Sequence, residues 1–179
     1  MKYLIIAVAT LLTTATIAQS KKFTFKLGSE YELPRKAADL SFFGNDKDGI
    51  VNMGLKKEEL TILRFDPKTL VQSTEKVIEL PEMTKNFNSE GVVDFDGNYY
   101  WLHSDWDKKD EIEYLYYDKI DVVSGKITES NKKLFQAERI AGSSAVMTGF
   151  YRYKMGGKYD FNFDAEHTKL LVSYRLAPE

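Results

Sequence analysis

From Ile50 to Leu176, apolar residues alternate with polar ones or run in short β-branched and aromatic bursts, broken by clusters of Asp, Gly, Asn and Lys. A two-residue period sends successive side chains to opposite faces of an extended chain, so the pattern predicts strands. The clearest are Ile50 to Leu55, Leu60 to Phe65, Gly91 to Phe95, Asn98 to Ser104, Ile112 to Asp121, Tyr159 to Phe163 and Lys169 to Leu176. In the last of these, Leu170, Val172 and Tyr174 share one face, and the strand reads as buried or central. No window of helical length carries a 3.6-residue apolar stripe with a cap. The segment Gln136 to Phe150 collects Ala, Glu, Arg and Met but contains Gly142-Ser143-Ser144, and it reads as a loop with at most a short helical turn. It opens a loop-rich insertion at 136–158, and the chain as a whole is expected to be all-β.

The turns recur. Asp48-Gly49 precedes the strand Ile50-Val51-Asn52-Met53, and Asp96-Gly97 precedes Asn98-Tyr99-Tyr100-Trp101, 48 residues later. Glycine accepts the positive φ of a tight primed turn, so each pair predicts a hairpin. A charged turn follows in both copies, Lys56-Lys57-Glu58-Glu59 and Asp107-Lys108-Lys109-Asp110-Glu111. A third strand then ends in an acid, at Phe65-Asp66-Pro67-Lys68-Thr69 and, 55 residues later, at Ile120-Asp121-Val122-Val123-Ser124-Gly125. Lys76 to Leu80 and Lys132 to Phe135 supply fourth strands, and a third copy begins at Asp160 to Asp164 and continues at Lys169 to Tyr174. Four short antiparallel strands repeating every ~40 to 50 residues match the period of a propeller blade.

Phe161-Asn162-Phe163-Asp164 followed by Lys169-Leu170-Leu171-Val172 resembles a strand pair of TolB-like and WD40-like β-propellers, although Ala165-Glu166-His167-Thr168 stands where those carry glycine. Asp118 with Asp121-Val122-Val123-Ser124-Gly125-Lys126 is similar to the turn between the outer strands of such blades. The resemblance spans about 38 to 176 and implies the N-terminal part of a secreted bacterial propeller. Propellers close with typically about four to eight blades. Residues 38–179 hold about two and a half units, so an incomplete propeller is expected, with further blades of a longer chain as partners. The alternative is a small up-and-down barrel or sandwich of unevenly spaced strands.

The N-terminus gives the expected address. Met1-Lys2 is followed by an uncharged apolar run from Tyr3 to Leu12, and Thr16 and Ala18 place small residues where a signal peptidase reads them. This predicts a signal peptide at 1–18 cleaved between Ala18 and Gln19, and secretion to the periplasm or outer envelope. The run is about half the ~20 residues of a membrane-spanning helix, so the chain is not expected to span a membrane. Residues 19–37 form an N-terminal segment before the first unit. Cleavage leaves 161 of 179 residues, enough for one core. Without Lys2 the basic count falls from 25 to 24 against 27 acids, a net charge of −3 that offers no basic stripe to nucleic acid. The absence of cysteine excludes disulfides, thiolate metal sites, a cysteine nucleophile and a lipid-modified cysteine anchor.

Candidate chemistry is sparse. Asp94-Phe95-Asp96-Gly97-Asn98 fails the calcium-loop register, with Tyr99 where glycine belongs, and reads as a turn. His103-Ser104-Asp105 puts an imidazole and a carboxylate on one strand face, but only His167, in another turn, could add a second imidazole. The acids Asp105, Asp107, Asp110 and Glu111 read as a solvated loop tip. Gly142-Ser143-Ser144-Ala145 lacks the glycine of a nucleophile elbow. No catalytic residue, metal ligand or cofactor is assigned. Aromatic residues crowd one hairpin, where they suit blade packing and also stacking on a sugar or peptide. A ligand or partner surface is therefore placed at Tyr100, Trp101, His103, Asp105 and Trp106. The expected function is a non-catalytic binding or scaffold module with a protein or glycan partner. The alternatives are the regulatory propeller of a longer prolyl-oligopeptidase-like hydrolase and a small barrel that binds a hydrophobic ligand.

Overall fold

A computed structural model of the chain describes residues 27–32, 38–45, 47–56, 59–80, 87–138, 140–142, 146–148, 151–153 and 157–177. The expected signal peptide, the residues flanking its cleavage point, and Ser143 and Ser144 lie outside these residues. Among the described residues, all the regular structure is strand. β1 (Ala38–Asn45), β2 (Gly49–Lys56), β3 (Glu59–Phe65) and β4 (Gln72–Glu79) form one antiparallel sheet in chain order. β5 (Asn88–Phe95), β6 (Asn98–Asp107), β7 (Ile112–Asp121) and β8 (Lys126–Glu138) form a second of the same topology. Two hairpins follow, β9 (Val146–Thr148) with β10 (Tyr151–Tyr153), and β11 (Tyr159–Phe163) with β12 (Leu170–Tyr174).

The all-β expectation and the four-stranded, blade-like sheets are thus present. Both sheets are open, edged by β1 and β4 and by β5 and β8, so a closed barrel is not formed. The loop-rich insertion starts later than Gln136, because β8 pairs with β7 as far as Glu138 opposite Ile112. The described part of its remainder contains the β9–β10 hairpin and a bridge from Ile140 to Leu176. β12 is a half-exposed strand and not a central one: Leu171 is 64% exposed and Tyr174 39%.

The sheets stack through alternate side chains of their strands. Val51, Met53, Leu60, Ile62 and Ile78 of the first sheet pack with Tyr99, Trp101 and Ile120 of the second in one core. On the opposite face of the second sheet, Leu115, Phe135 and Ala137 pack with Tyr159, Phe161 and Val172 of the last hairpin. The second sheet is therefore covered on both faces, and β6 buries Trp101, Leu102, His103 and Ser104 in succession. A two-sheet sandwich has one such core, whereas three successive units here share two. On the far side of the first sheet, Tyr31 of the N-terminal segment meets Phe65 edge to face at 4.7 Å.

The repeated turns have repeated chemistry. Asp66 accepts the Lys68 and Thr69 N–H groups at 2.9 and 2.7 Å, and Asp121 accepts those of Val123 and Ser124 at 2.9 and 3.2 Å. Asp164, at the start of the β11–β12 turn, accepts from Thr168 and Lys169 at 2.7 and 3.0 Å. These bonds hold all three carboxyls below the ordinary value, led by the Thr69 N–H at Asp66, the Ser124 hydroxyl at Asp121 and the Lys169 N–H at Asp164. A folded value below the unfolded one means that the stability these turns add is present above the ordinary carboxylate range. It is lost as pH falls through the lowered values.

Phe95 pairs with Asn98 across Asp96 (φ 50°) and Gly97 (φ 64°), a primed two-residue turn as the sequence predicts. A Cβ at Gly97 would meet nothing within 4 Å, so any cost of substitution lies in the backbone. Gly97→Val should destabilise the fold by more than about 1 kcal/mol, and Gly97→Asn by much less, because Asn tolerates the left-handed region and a β-branched residue does not. Thermal unfolding of the two variants checks this, and equal melting temperatures would mean that the turn conformation is wrong.

Candidate functional site

A groove of about 550 Å³ lies between the second sheet and the last hairpin. Strand alternation builds it. β6 sends Tyr99, Trp101 and His103 toward the first sheet, leaving Tyr100 and Leu102 for the groove, and β7 adds Tyr117. β8 contributes Leu134 and Phe135 to the floor, and Lys169, Leu170 and Val172 form the opposite wall. Tyr100 and Tyr117 meet edge to face at 5.4 Å, and Phe95 stacks on Phe163 at 6.0 Å. The polar tips are few. The Tyr117 hydroxyl donates to Glu129 at 3.3 Å, and the Lys119 ammonium lies 3.9 Å from Glu129 and 5.9 Å from the Tyr100 ring centre. Desolvation, then the charge of Glu129, raises the hydroxyls of both Tyr100 and Tyr117 above the ordinary phenol value, so both are donors at neutral pH.

Beside the groove, the same interface holds a buried ionic cluster. The Lys158 ammonium contacts Glu113, lies 3.1 Å from Glu90 and donates to Ser104 at 2.8 Å. Its side chain is 4% exposed and both carboxylates are fully buried. Glu90 reaches this face because the β5 register shifts between Ser89 and Gly91. Ser89 remains on the other side, accepting from the Trp101 indole N–H at 3.0 Å. The second oxygens of Glu90 and Glu113 and the Tyr159 hydroxyl have no hydrogen-bond partner among the described residues. Burial, with Glu113 and Glu90 close by, pushes the Tyr159 hydroxyl far above the ordinary phenol value. Glu90, Glu113 and Lys158 belong to no local motif, and Glu113 is one of four charged residues in β7, with Asp118, Lys119 and Asp121, so nothing in the sequence singles it out.

The five residues expected to form a partner surface do not form one. Trp101 (0% exposed) and His103 (3%) are core side chains facing the first sheet, whereas Tyr100 is on the opposite face, in the groove. Asp105 and Trp106 are partly exposed near the end of β6. His103 stacks on Tyr116 at 5.6 Å and lies 3.7 Å from Asp118 of β7, so its nearest carboxylate is on another strand and not at Asp105. Asp118 in turn accepts the Asn131 N–H. His167 stacks on Phe163 at 5.0 Å in the β11–β12 turn. Among the described residues, no group of three His, Asp or Glu is placed to hold a metal ion, and no helix is long and apolar enough to cross a membrane. Compared with known protein families, curated proteins and solved structures, the chain matches none.

Proposed function

We propose that this chain is a non-catalytic binding or scaffold module of the bacterial envelope, exported after cleavage between Ala18 and Gln19, whose sheets are blades of a TolB-like propeller. The blade reading is supported by two successive four-stranded meanders, with the Asp66 and Asp121 turns at the same place in each. The binding reading rests on one observation: the open groove, floored by Tyr100, Leu102, Tyr117 and Phe135, whose polar groups are phenols and, at its margin, Thr168 and Lys169. Such a lining offers area and orientation to a partner, which suits recognition.

Photo-cross-linking in the native host tests the reading. Leu134, which is 43% exposed on the groove floor, is replaced by a photoreactive phenylalanine analogue, and Lys108, exposed in the β6–β7 turn, serves as the control position. The expected result is a discrete adduct from position 134 only, on protein that begins at Gln19 by mass spectrometry. Equal products from both positions, no adduct at 134, or retention of Met1 in a membrane fraction would overturn it.

A further inference from the structure

Strand register puts Ser104 opposite Leu115, two residues from Glu113, so Ser104 and Glu113 share the face of the second sheet that the last hairpin covers. Glu90 joins them through the shift in β5, and the hairpin brings Lys158 and Tyr159, the first residue of β11. The charges at this meeting point do not balance. Glu90 and Glu113 are fully buried, and one ammonium serves both. The Tyr159 hydroxyl keeps its proton, because burial and the two acids oppose its ionisation, and it adds no charge. Leu115, Phe135, Ile140 and Val172 around Tyr159 are apolar. At formal charges the cluster therefore carries one uncompensated negative charge inside the packed interface. A buried carboxylate without a counter-charge is among the costliest arrangements in a protein interior.

The hydrogen bonds are lopsided in the same sense. One oxygen of Glu90 accepts from Asn88, Ser104 and Lys158, and one oxygen of Glu113 accepts from Lys158. The second oxygen of each acid is buried and without a hydrogen-bond partner among the described residues, and so is the Tyr159 hydroxyl. Tyr159 is only 4% exposed, and its ring centre lies 5.9 Å from the ammonium that touches both acids. Buried polar atoms left unpaired point to a water or an ion. A water could donate to the two carboxylate oxygens, but it would leave the charge. A divalent ion would overshoot the charge, and it needs about six or more oxygen ligands, far more than this site offers. One monovalent cation supplies the missing charge and engages all three oxygens.

We infer that Glu90, Glu113 and Tyr159 bind one alkali-metal cation between the second sheet and the last hairpin. The free oxygens of the two acids and the phenol oxygen are its protein ligands, and it shares the two carboxylates with Lys158. The cation fastens the β11–β12 hairpin to the second sheet, independently of what the groove binds.

Urea unfolding of the protein purified from the secreted fraction tests the site. Sodium chloride or potassium chloride replaces tetramethylammonium chloride at constant ionic strength, the organic cation being too large to enter. A ligand that binds only the folded state raises the folded-to-unfolded ratio about tenfold for each tenfold rise in its concentration above the dissociation constant. This rise is expected with sodium or potassium and not with tetramethylammonium. Glu113→Gln removes the excess charge and keeps the shape, so the difference between the salts should vanish. Tyr159→Phe keeps the ring and removes one ligand, so about tenfold more cation should be needed for the same gain, the equivalent of one lost polar contact. Asp110→Asn, in the exposed β6–β7 turn, should respond as the parent does. Equal stability in the alkali and tetramethylammonium salts would overturn the proposal. So would a salt difference that survives in Glu113→Gln, or a Tyr159→Phe curve that superimposes on the parent's.

Discussion

Lys158→Met is expected to cost about 3 to 5 kcal/mol of folding stability, the range for removing one partner of a buried ion pair and leaving its charge behind. Two fully buried carboxylates share this one ammonium, and Ser104 takes a third of its donors. Three donors converge on the same Glu90 oxygen, from Asn88 at 2.9 Å, Ser104 at 2.5 Å and Lys158 at 3.1 Å. Because Lys158 leads directly into β11, its loss should loosen the last hairpin from the second sheet, with the groove between them. Denaturant unfolding of the variant measures the cost. The combination Lys158→Met with Glu90→Gln and Glu113→Gln separates charge from shape. Neutral amides cost far less to bury than unpaired carboxylates, so the triple variant should recover most of the loss. A single variant within about 1 kcal/mol of the parent would show that the cluster is not formed in solution.

Trp101→Ala carries a comparable expectation, about 3 to 5 kcal/mol, from lost burial and the cavity left behind. Trp101 is fully buried between the first two sheets, 5.3 Å from the Phe87 ring and 4.8 Å from His103, with its indole N–H bonded to Ser89. Trp101→Phe should cost less, since it keeps most of the apolar volume and gives up only the ring edge and the Ser89 bond. The chain has two tryptophans, and Trp106 is partly exposed, so the blue-shifted part of the emission should vanish in either variant. Urea titrations followed by circular dichroism give the free energies. A Trp101→Ala protein that unfolds at the parent midpoint would mean that this residue is a surface anchor after all.

Much of the local structure was legible because its causes are local. Asp96-Gly97 predicts a primed turn from two residues, and the turn has positive φ at both. The alternation from Ile112 to Asp121 predicts a strand, and β7 has these bounds. The acid at the end of each third strand, Asp66 and Asp121, was visible as a repeat, and its carboxylate caps the following turn within three residues. The candidate surface was less legible. Period-two reasoning puts Tyr100 and Trp101 on opposite faces, but it does not say which face is covered, and here both are.

By itself the sequence determined β2 to β8, β11 and β12, their hairpin order and the recurrence of a four-stranded unit, since turn chemistry and side-chain alternation act over a few residues; β9 and β10 fall where it predicted loop. Only the tertiary structure decided what lies between the units. Stacking buries both faces of the second sheet, and this turned Trp101 and His103 from candidate contacts into core. The register shift at Ser89 and Gly91 turned Glu90 inward, where Ser104 and Glu113 meet a lysine 54 and 45 residues away in the chain. Ion pairing at such separations depends on which sheets pack face to face, and no short stretch of residues encodes that. The groove has the same origin: its apolar floor can be read strand by strand, but its walls come together only where the last hairpin packs on the second sheet.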